Sequence, residues 1–352
     1  MTAEQLSRSA ILAYRAQAHD LEHPAATPAE CGVLETGVQD RPPGTTARQA
    51  LNARLAAPRG EDPTLNRALA LVHSLRGAMH VHPVRDLGLL TAALRPDNPA
   101  DRDAVDQVAT AMAQVIGGIQ TLTKNDLSTQ ITQLLPPRLR PWCPGCQVEH
   151  VPDGLFRMAT LPAGLRLRPA GHRSANFFRT GAPDPDEPER ARRELLRRFL
   201  RRCGPAVTKD LAAWAGIMPP AAKTWWDLLA DELVEVRVDG KRLWMHTEDL
   251  TAARDANPPT TVRLLPPYDP LAEVANRELL LPDPTHRRQV WRAVANPGLV
   301  LIAGELAGTW RRRNKMLNVA PFTPLSTSQQ RAIQTEASSG DRSPVADVMF
   351  NN

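Results

Sequence analysis

Three side chains able to hold a soft metal or exchange a disulfide lie close together in Trp142-Cys143-Pro144-Gly145-Cys146-Gln147-Val148-Glu149-His150. A Cys-x-x-Cys pair serves redox chemistry when it follows a strand and opens a helix in a βαβ unit. Here the pair follows Pro136-Pro137 and lies between two patterned regions, which argues against that use. As a zinc site, Cys143, Cys146 and His150 have credible ligand types and spacing, and Cys31, His172 or Cys203 would have to supply a fourth ligand. Structural zinc is the only cofactor the sequence suggests.

A second concentration of chemistry is cationic. Seven arginines face three glutamates between positions 187 and 202, a density suited to nucleic-acid phosphates. The elements around it spell a winged helix over 187–250. A helix over 189–202 carries Leu195, Leu196, Phe199 and Leu200 as one apolar stripe and ends at Cys203-Gly204-Pro205. A second runs from a Thr208 cap through Trp214 and closes at Gly216. A third follows Pro219-Pro220, with Ala222, Trp225, Trp226 and Leu229 inward and Lys223, Thr224 and Asp227 outward. The period then drops to two over 233–238 and 241–245, joined by an Asp239-Gly240 turn. Arg193 and Arg197 on the first helix, Lys223 on the third, and Lys241 and Arg242 on the wing are the candidate contacts to DNA. The third helix offers few forked donors for base edges, so the module suits phosphate holding better than sequence reading. Winged helices also dock proteins, so a transcriptional regulator or a docking module is the alternative.

The fold class expected is mainly α with β wings (α+β): tandem winged-helix units with a small β-rich C-terminal domain. Helical spacing from Leu6 to Leu21, helix starts near Thr27 or Glu30 and at Thr45-Thr46, and a helix over 64–71 precede a strand-like run over 73–82. Three more helices, over 86–94, 101–116 and 124–135, complete a helical, winged-helix-like domain over 1–140. An irregular connector with short strands spans 141–186, a β-rich domain spans 258–324 with a hairpin turning at Ala303-Gly304, and 325–352 is expected to be a disordered tail. The 352 residues are 42% hydrophobic, enough for two or three cores. Four cysteines are too few for a disulfide scaffold, and the net charge of +5 permits a polyanionic partner. No run of about 18 apolar residues and no secretory start appear, so no membrane association and a cytoplasmic location are expected.

Four short motifs in order, Leu75-Arg76-Gly77 with His80, the 191–243 winged helix, Leu264-Leu265-Pro266-Pro267-Tyr268-Asp269, and Ala307-Gly308-Thr309-Trp310-Arg311, resemble the AlkZ-like winged-helix DNA glycosylases. The resemblance covers roughly residues 1–322. It implies a concave basic surface that takes double-stranded DNA as a monomer, and cleavage of N-glycosidic bonds to alkylated bases, including those in interstrand crosslinks. The family's Gln-apolar-Gln or Gln-apolar-Asp motif aligns with Gly37-Val38-Gln39. Gln39 is then a catalytic candidate that orients water. Gly37 stands where the first polar side chain is expected, and Asp40 is the candidate substitute as base or negative field. Arg76 and His80 match an Arg-Gly-x-x-His pattern near the DNA-facing side. The alternatives are that Gln39 and Asp40 bond the loop, and that Arg76 and His80 are a satisfied structural pair.

Overall fold

A computed structural model of the chain describes residues 4–57, 66–117, 120–171, 173–273, 276–339 and 347–351. The winged helix forms where the hydrophobic periods place it. Its first helix is Pro188–Cys203, whose Leu195, Leu196, Phe199 and Leu200 are all buried. The second is Thr208–Ala215, closed by Gly216 in the left-handed region (φ 73°), where glycine escapes the steric cost of a Cβ. Its cap differs from expectation: Val207 is the cap residue, and the Asp210 carboxylate, not the Thr208 hydroxyl, accepts from the Val207 amide at 3.0 Å. The third helix, Pro219–Asp227, buries Ala222 and Trp225. The wing pairs Leu233–Val238 with Lys241–His246 in a register that puts Val238 opposite Lys241. Asp239 and Gly240 therefore form a two-residue turn, both at positive φ (48° and 76°), as a primed turn requires.

The wing has a third strand that sequence periodicity did not supply. Glu4–Leu6 adds to it in parallel, and Ile11 and Tyr14 of the helix Arg8–Ala18 pack on Val236, Val238, Leu243 and Met245. The chain's start thus belongs to the winged helix and not to the 1–140 domain. The remainder of that domain is built on a six-stranded sheet in the order Val38–Gln39, Met79–Pro83, Leu69–His73, Leu165–Ala170, Ser174–Arg179 and Thr121–Leu122. Two of these strands come from 141–186, together with the helix Asp153–Thr160, so the expected connector is part of this unit. The helix expected over 64–71 is overturned within the described residues, because Leu69–His73 is a fully buried central strand. An apolar run this short fits a buried strand as well as a helix turn. The run 73–82 is likewise a tight hairpin and not a single strand: Leu75–Gly77 turns the chain between Leu69–His73 and Met79–Pro83.

The C-terminal sheet orders Val262–Leu265, Gly298–Ile302, Glu305–Arg313, Met316–Pro321 and Asp347–Phe350. Its first hairpin turns at Ala303-Gly304, as expected. The tail expectation is overturned: Thr327–Ser339 is a helix whose Ile333 is fully buried against Val300, Leu317 and Val319, and Asp347–Phe350 joins the sheet. One buried isoleucine in a polar helix leaves too weak a periodic signal to read in sequence. Among the described residues no helix is long and apolar enough to cross a membrane.

Candidate active site

Gln39 lies on the two-residue edge strand of the six-stranded sheet, opposite His80. Val38 beside it is fully buried, which turns the Gln39 side chain to the other face of the strand. Its Oε1 accepts from Arg76 Nη2 at 3.2 Å, and the same nitrogen donates to Glu273 Oε2 at 2.9 Å. Arg76 Nη1 donates to the Trp214 carbonyl at 2.5 Å, tying the site to the second helix of the winged helix. Arg76 holds a left-handed backbone (φ 56°), a costly conformation for a non-glycine residue. The fit against the winged helix there is tight, since a Cβ on Gly216 would sit 2.7 Å from Arg76 Cα.

Gly37, Gln39, Arg76, His80, Tyr268 and Glu273 line one narrow recess. Burial raises the Glu273 carboxyl above the ordinary glutamate range, and Arg76 and Arg277 oppose that rise. Glu273 and Tyr268 were not singled out from the sequence as site residues. Glu273 follows the Leu-Pro-Pro-Tyr-Asp motif by only four positions, and that adjacency was the one available signal.

Asp40 is not placed to act as a base. Its Oδ1 accepts from the Thr45 and Ala47 amides at 3.0 and 3.1 Å, and its Oδ2 accepts from the Gly44 amide at 2.5 Å. The carboxylate therefore caps the helix Thr46–Asn52, where a negative group meets free N–H donors. His80 is buried, with Nδ1 3.1 Å from Ser74 Oγ and 3.1 Å from the Ala78 carbonyl. Burial, helped by Arg76, lowers its pKa well below the usual histidine value, so the ring is neutral. Ser74 Oγ also meets His82 Nε2 at 2.9 Å. That second imidazole explains Gly37: with φ +84°, a Cβ there would sit 2.3 Å from His82 Cε1. His82 thus occupies the space that any side chain at position 37 would need.

The arginines of the arginine-rich helix have carboxylate partners within the chain. Arg193 and Arg197 both bond Glu232, which also meets His246 Nε2 at 2.7 Å. The other five pair within the chain as well: Arg190 with Asp186, Arg192 with Asp97, Arg198 with Asp86 and Glu194, Arg201 with Asp249, and Arg202 with Glu35. All seven arginines thus meet carboxylates on neighbouring elements. A run of cations on one helix cannot be told from a phosphate-binding face until its neighbours are known. Lys223 is exposed and pairs only along its own helix, with Asp227 at 2.7 Å.

Lys241 and Arg242 open instead onto a cleft of about 710 Å³ between the wing and the segment 276–291. Lys209, Arg277, Arg287 and Arg288 join them there, giving six cations against the carboxylates of Asp210 and Glu278. Lys241 pairs with the exposed Glu278 at 2.8 Å, and the exposed Arg242 with the half-buried Glu235 at 2.7 Å. Exposed pairs of this kind are worth little and exchange readily for a phosphate. Arg277, stacked 5.0 Å over Trp291, lines this cleft, and its charge acts on Glu273 and Arg76 of the recess.

Cys143, Cys146 and His150 come together with their ligand atoms all within 4.8 Å of one another. Cys31 and Cys203 do not join them, being buried in two separate cores. His172 lies outside the described residues.

The chain resembles known proteins along most of its length. The "Interstrand DNA cross-link repair glycosylase" of Streptomyces sahachiroi is 28% identical over 160 residues, which is 44% of this chain and 42% of that protein. The match thus spans less than half the length of that relative. The solved structure of Streptomyces sahachiroi DNA glycosylase AlkZ superposes with a TM-score of 0.76 at 23% identity, over 99% of this chain and 100% of that one, which shows a shared fold. The family model for "DNA glycosylase AlkZ-like" matches residues 33–339, so the chain belongs to the AlkZ-like DNA glycosylase family.

Proposed function

We propose that this protein is a monofunctional DNA glycosylase acting as a single chain on duplex DNA, and that it releases alkylated bases, including bases in interstrand crosslinks. The observation that carries the reading is the shared Arg76 nitrogen, which sets the Gln39 carboxamide beside the Glu273 carboxylate. A base alkylated to a cation leaves as a neutral molecule, so the protein need not protonate it. It has to hold a water and stabilise positive charge on the sugar. In this reading Gln39, with its oxygen fixed by Arg76, uses its free N–H groups and second lone pair to orient the water. Glu273 supplies the negative field and takes the proton as the water oxygen bonds to C1′ and the C1′–N bond breaks. The products are a free base and an abasic site. Lys209, Lys241, Arg242, Arg287 and Arg288 hold the phosphates.

The test is release of base from N7-alkylated and crosslinked duplexes by the wild type and by Gln39→Ala. Loss of one such group should lower the rate by about 100-fold. DNA affinity should stay nearly constant, because Gln39 carries no charge. A wild type that binds these duplexes and releases nothing leaves a DNA-binding protein without catalysis. Equal rates in the two proteins would place the chemistry on other residues.

A further inference from the structure

We propose that Cys143, Cys146 and His150 bind one zinc ion through three protein ligands, with the fourth position open to solvent, and that the metal holds the hairpin formed by Trp142–Cys143 and Val148–Glu149 in place. Beside the Arg140–Glu149 ion pair, the hairpin has little other support. Its strands are two residues each, and Trp142 and Val148 are 60% and 51% exposed, so neither buries the apolar surface that would stabilise so short a pair. The ligand geometry is already assembled. Gln147 N donates to the Cys143 carbonyl at 2.8 Å, and Gln147 itself turns through the left-handed region (φ 54°), which folds Cys146 back toward Cys143.

The histidine supplies independent support. Nδ1 of His150 lies 2.7 Å from the Val151 carbonyl, which makes Nδ1 the protonated nitrogen and leaves the lone pair on Nε2. That Nε2 is buried, and the ring's side-chain contact among the described residues is the Cys143 thiol, a weak hydrogen-bond partner. A metal held by the neighbouring sulfurs would satisfy the Nε2 lone pair better. Two thiolates and a neutral imidazole carry two negative charges, matched by a divalent ion, and the thiol protons pass to solvent on binding. Zinc is the ion that such a soft sulfur and nitrogen set selects. The fourth position falls to water because the hairpin is exposed and no further Cys, His, Asp or Glu among the described residues completes the cluster.

The experiment uses the full-length protein, reduced, stripped by chelator and titrated with cobalt(II), which enters tetrahedral thiolate sites and reports them by thiolate-to-metal charge-transfer and d–d absorption. The expected result is saturation at one cobalt per chain, with displacement by zinc, and zinc near one per chain in protein isolated without chelator. Cys146→Ser removes an exposed side chain and leaves the cores intact, so it should fold as the wild type while binding at least about 100-fold more weakly. His150→Ala should retain thiolate bands but change the d–d spectrum. Absence of a charge-transfer band in the reduced wild type, or equal cobalt affinity in Cys146→Ser, overturns the proposal. The result does not depend on the glycosylase reading.

Discussion

Arg54 and Asp269, 215 positions apart in sequence, meet in a two-toothed ion pair with both side chains fully buried: Nη1 to Oδ2 and Nη2 to Oδ1 are each 2.8 Å. Arg54 follows the helix that Asp40 caps, and Asp269 lies between Tyr268 and Glu273. The pair therefore locks the Gln39 side of the recess to the Glu273 side. Arg54→Met or Asp269→Leu alone leaves a buried charge without its partner and should cost about 3–5 kcal/mol in denaturant unfolding. The double variant should recover most of that loss, since two apolar groups leave no charge stranded. Single variants within about 1 kcal/mol of wild type would show the pair to be solvated in solution.

Glu232 is the corresponding acid for the arginine-rich helix. Hydrogen bonds from His246, Arg193 and Arg197 lower its pKa from 4.5 to about 2. A carboxylate depressed in the folded state stabilises that state fully above its unfolded pKa, and the contribution disappears as pH falls toward the folded value. Thermal unfolding of Glu232→Gln should therefore start at a lower temperature than wild type at neutral pH. The gap should narrow between about pH 4.5 and pH 2. A gap independent of pH would mean that the substitution acts through packing and not through charge.

How much of this was legible in sequence depended on whether the signal was local. The winged helix was, because Leu195, Phe199, Trp225 and the Asp239-Gly240 turn carry their periods and turn chemistry within a few residues. Leu69–His73 was misread because a buried strand and a buried helix turn look alike over four apolar residues. The site was half legible. Gln39 and Arg76 stand in motifs, whereas their meeting with Glu273 spans three separate elements and has no periodic trace. Asp40 was assigned by chemical type, and only the amides of Gly44, Thr45 and Ala47 decide its role.

The ion pairs of the arginine-rich helix also make a prediction about DNA. Arg193→Ala with Arg197→Ala should lower stability and leave affinity for duplex almost unchanged. Arg287→Ala with Lys241→Ala, in the cleft, should weaken binding on any sequence and flatten the salt dependence by about 0.9 for each phosphate no longer neutralised. The measurement is duplex affinity over a salt series. The reverse pattern would return the phosphate-binding role to the helix.

Placing a polar side chain at position 37 should not help this protein. Gly37→Gln brings a Cβ into the His82 ring at a backbone angle that side chains rarely adopt, so base release and thermal stability should both fall. Gly37→Gln combined with His82→Ala frees the space but keeps the backbone strain, so it should recover only part of the loss. Higher activity in Gly37→Gln alone would show that the strand Val38–Gln39 shifts more easily than its packing implies.

Glu273 is the sharpest test of the proposed chemistry, because its role predicts both a rate and a pH limb. Its carboxyl is raised by burial, so as the base it works only above a pKa that lies higher than the ordinary glutamate value. Base release by the wild type should then fall as pH drops through that raised value, while DNA binding, which rests on arginines and lysines, holds constant over the same interval. Glu273→Gln keeps the size and the contact to Arg76 but cannot take a proton or carry charge. It should lower the rate by about 10²–10⁴-fold and abolish the acid limb. Because Glu273 also pairs with Arg76, a merely positional role must be separated from a chemical one. Glu273→Asp decides between them: it retains the charge and the titration, so a chemical role predicts a slower enzyme with the limb still present. A limb that persists unchanged in Glu273→Gln would assign the titrating group elsewhere and leave Glu273 as the partner that positions Arg76.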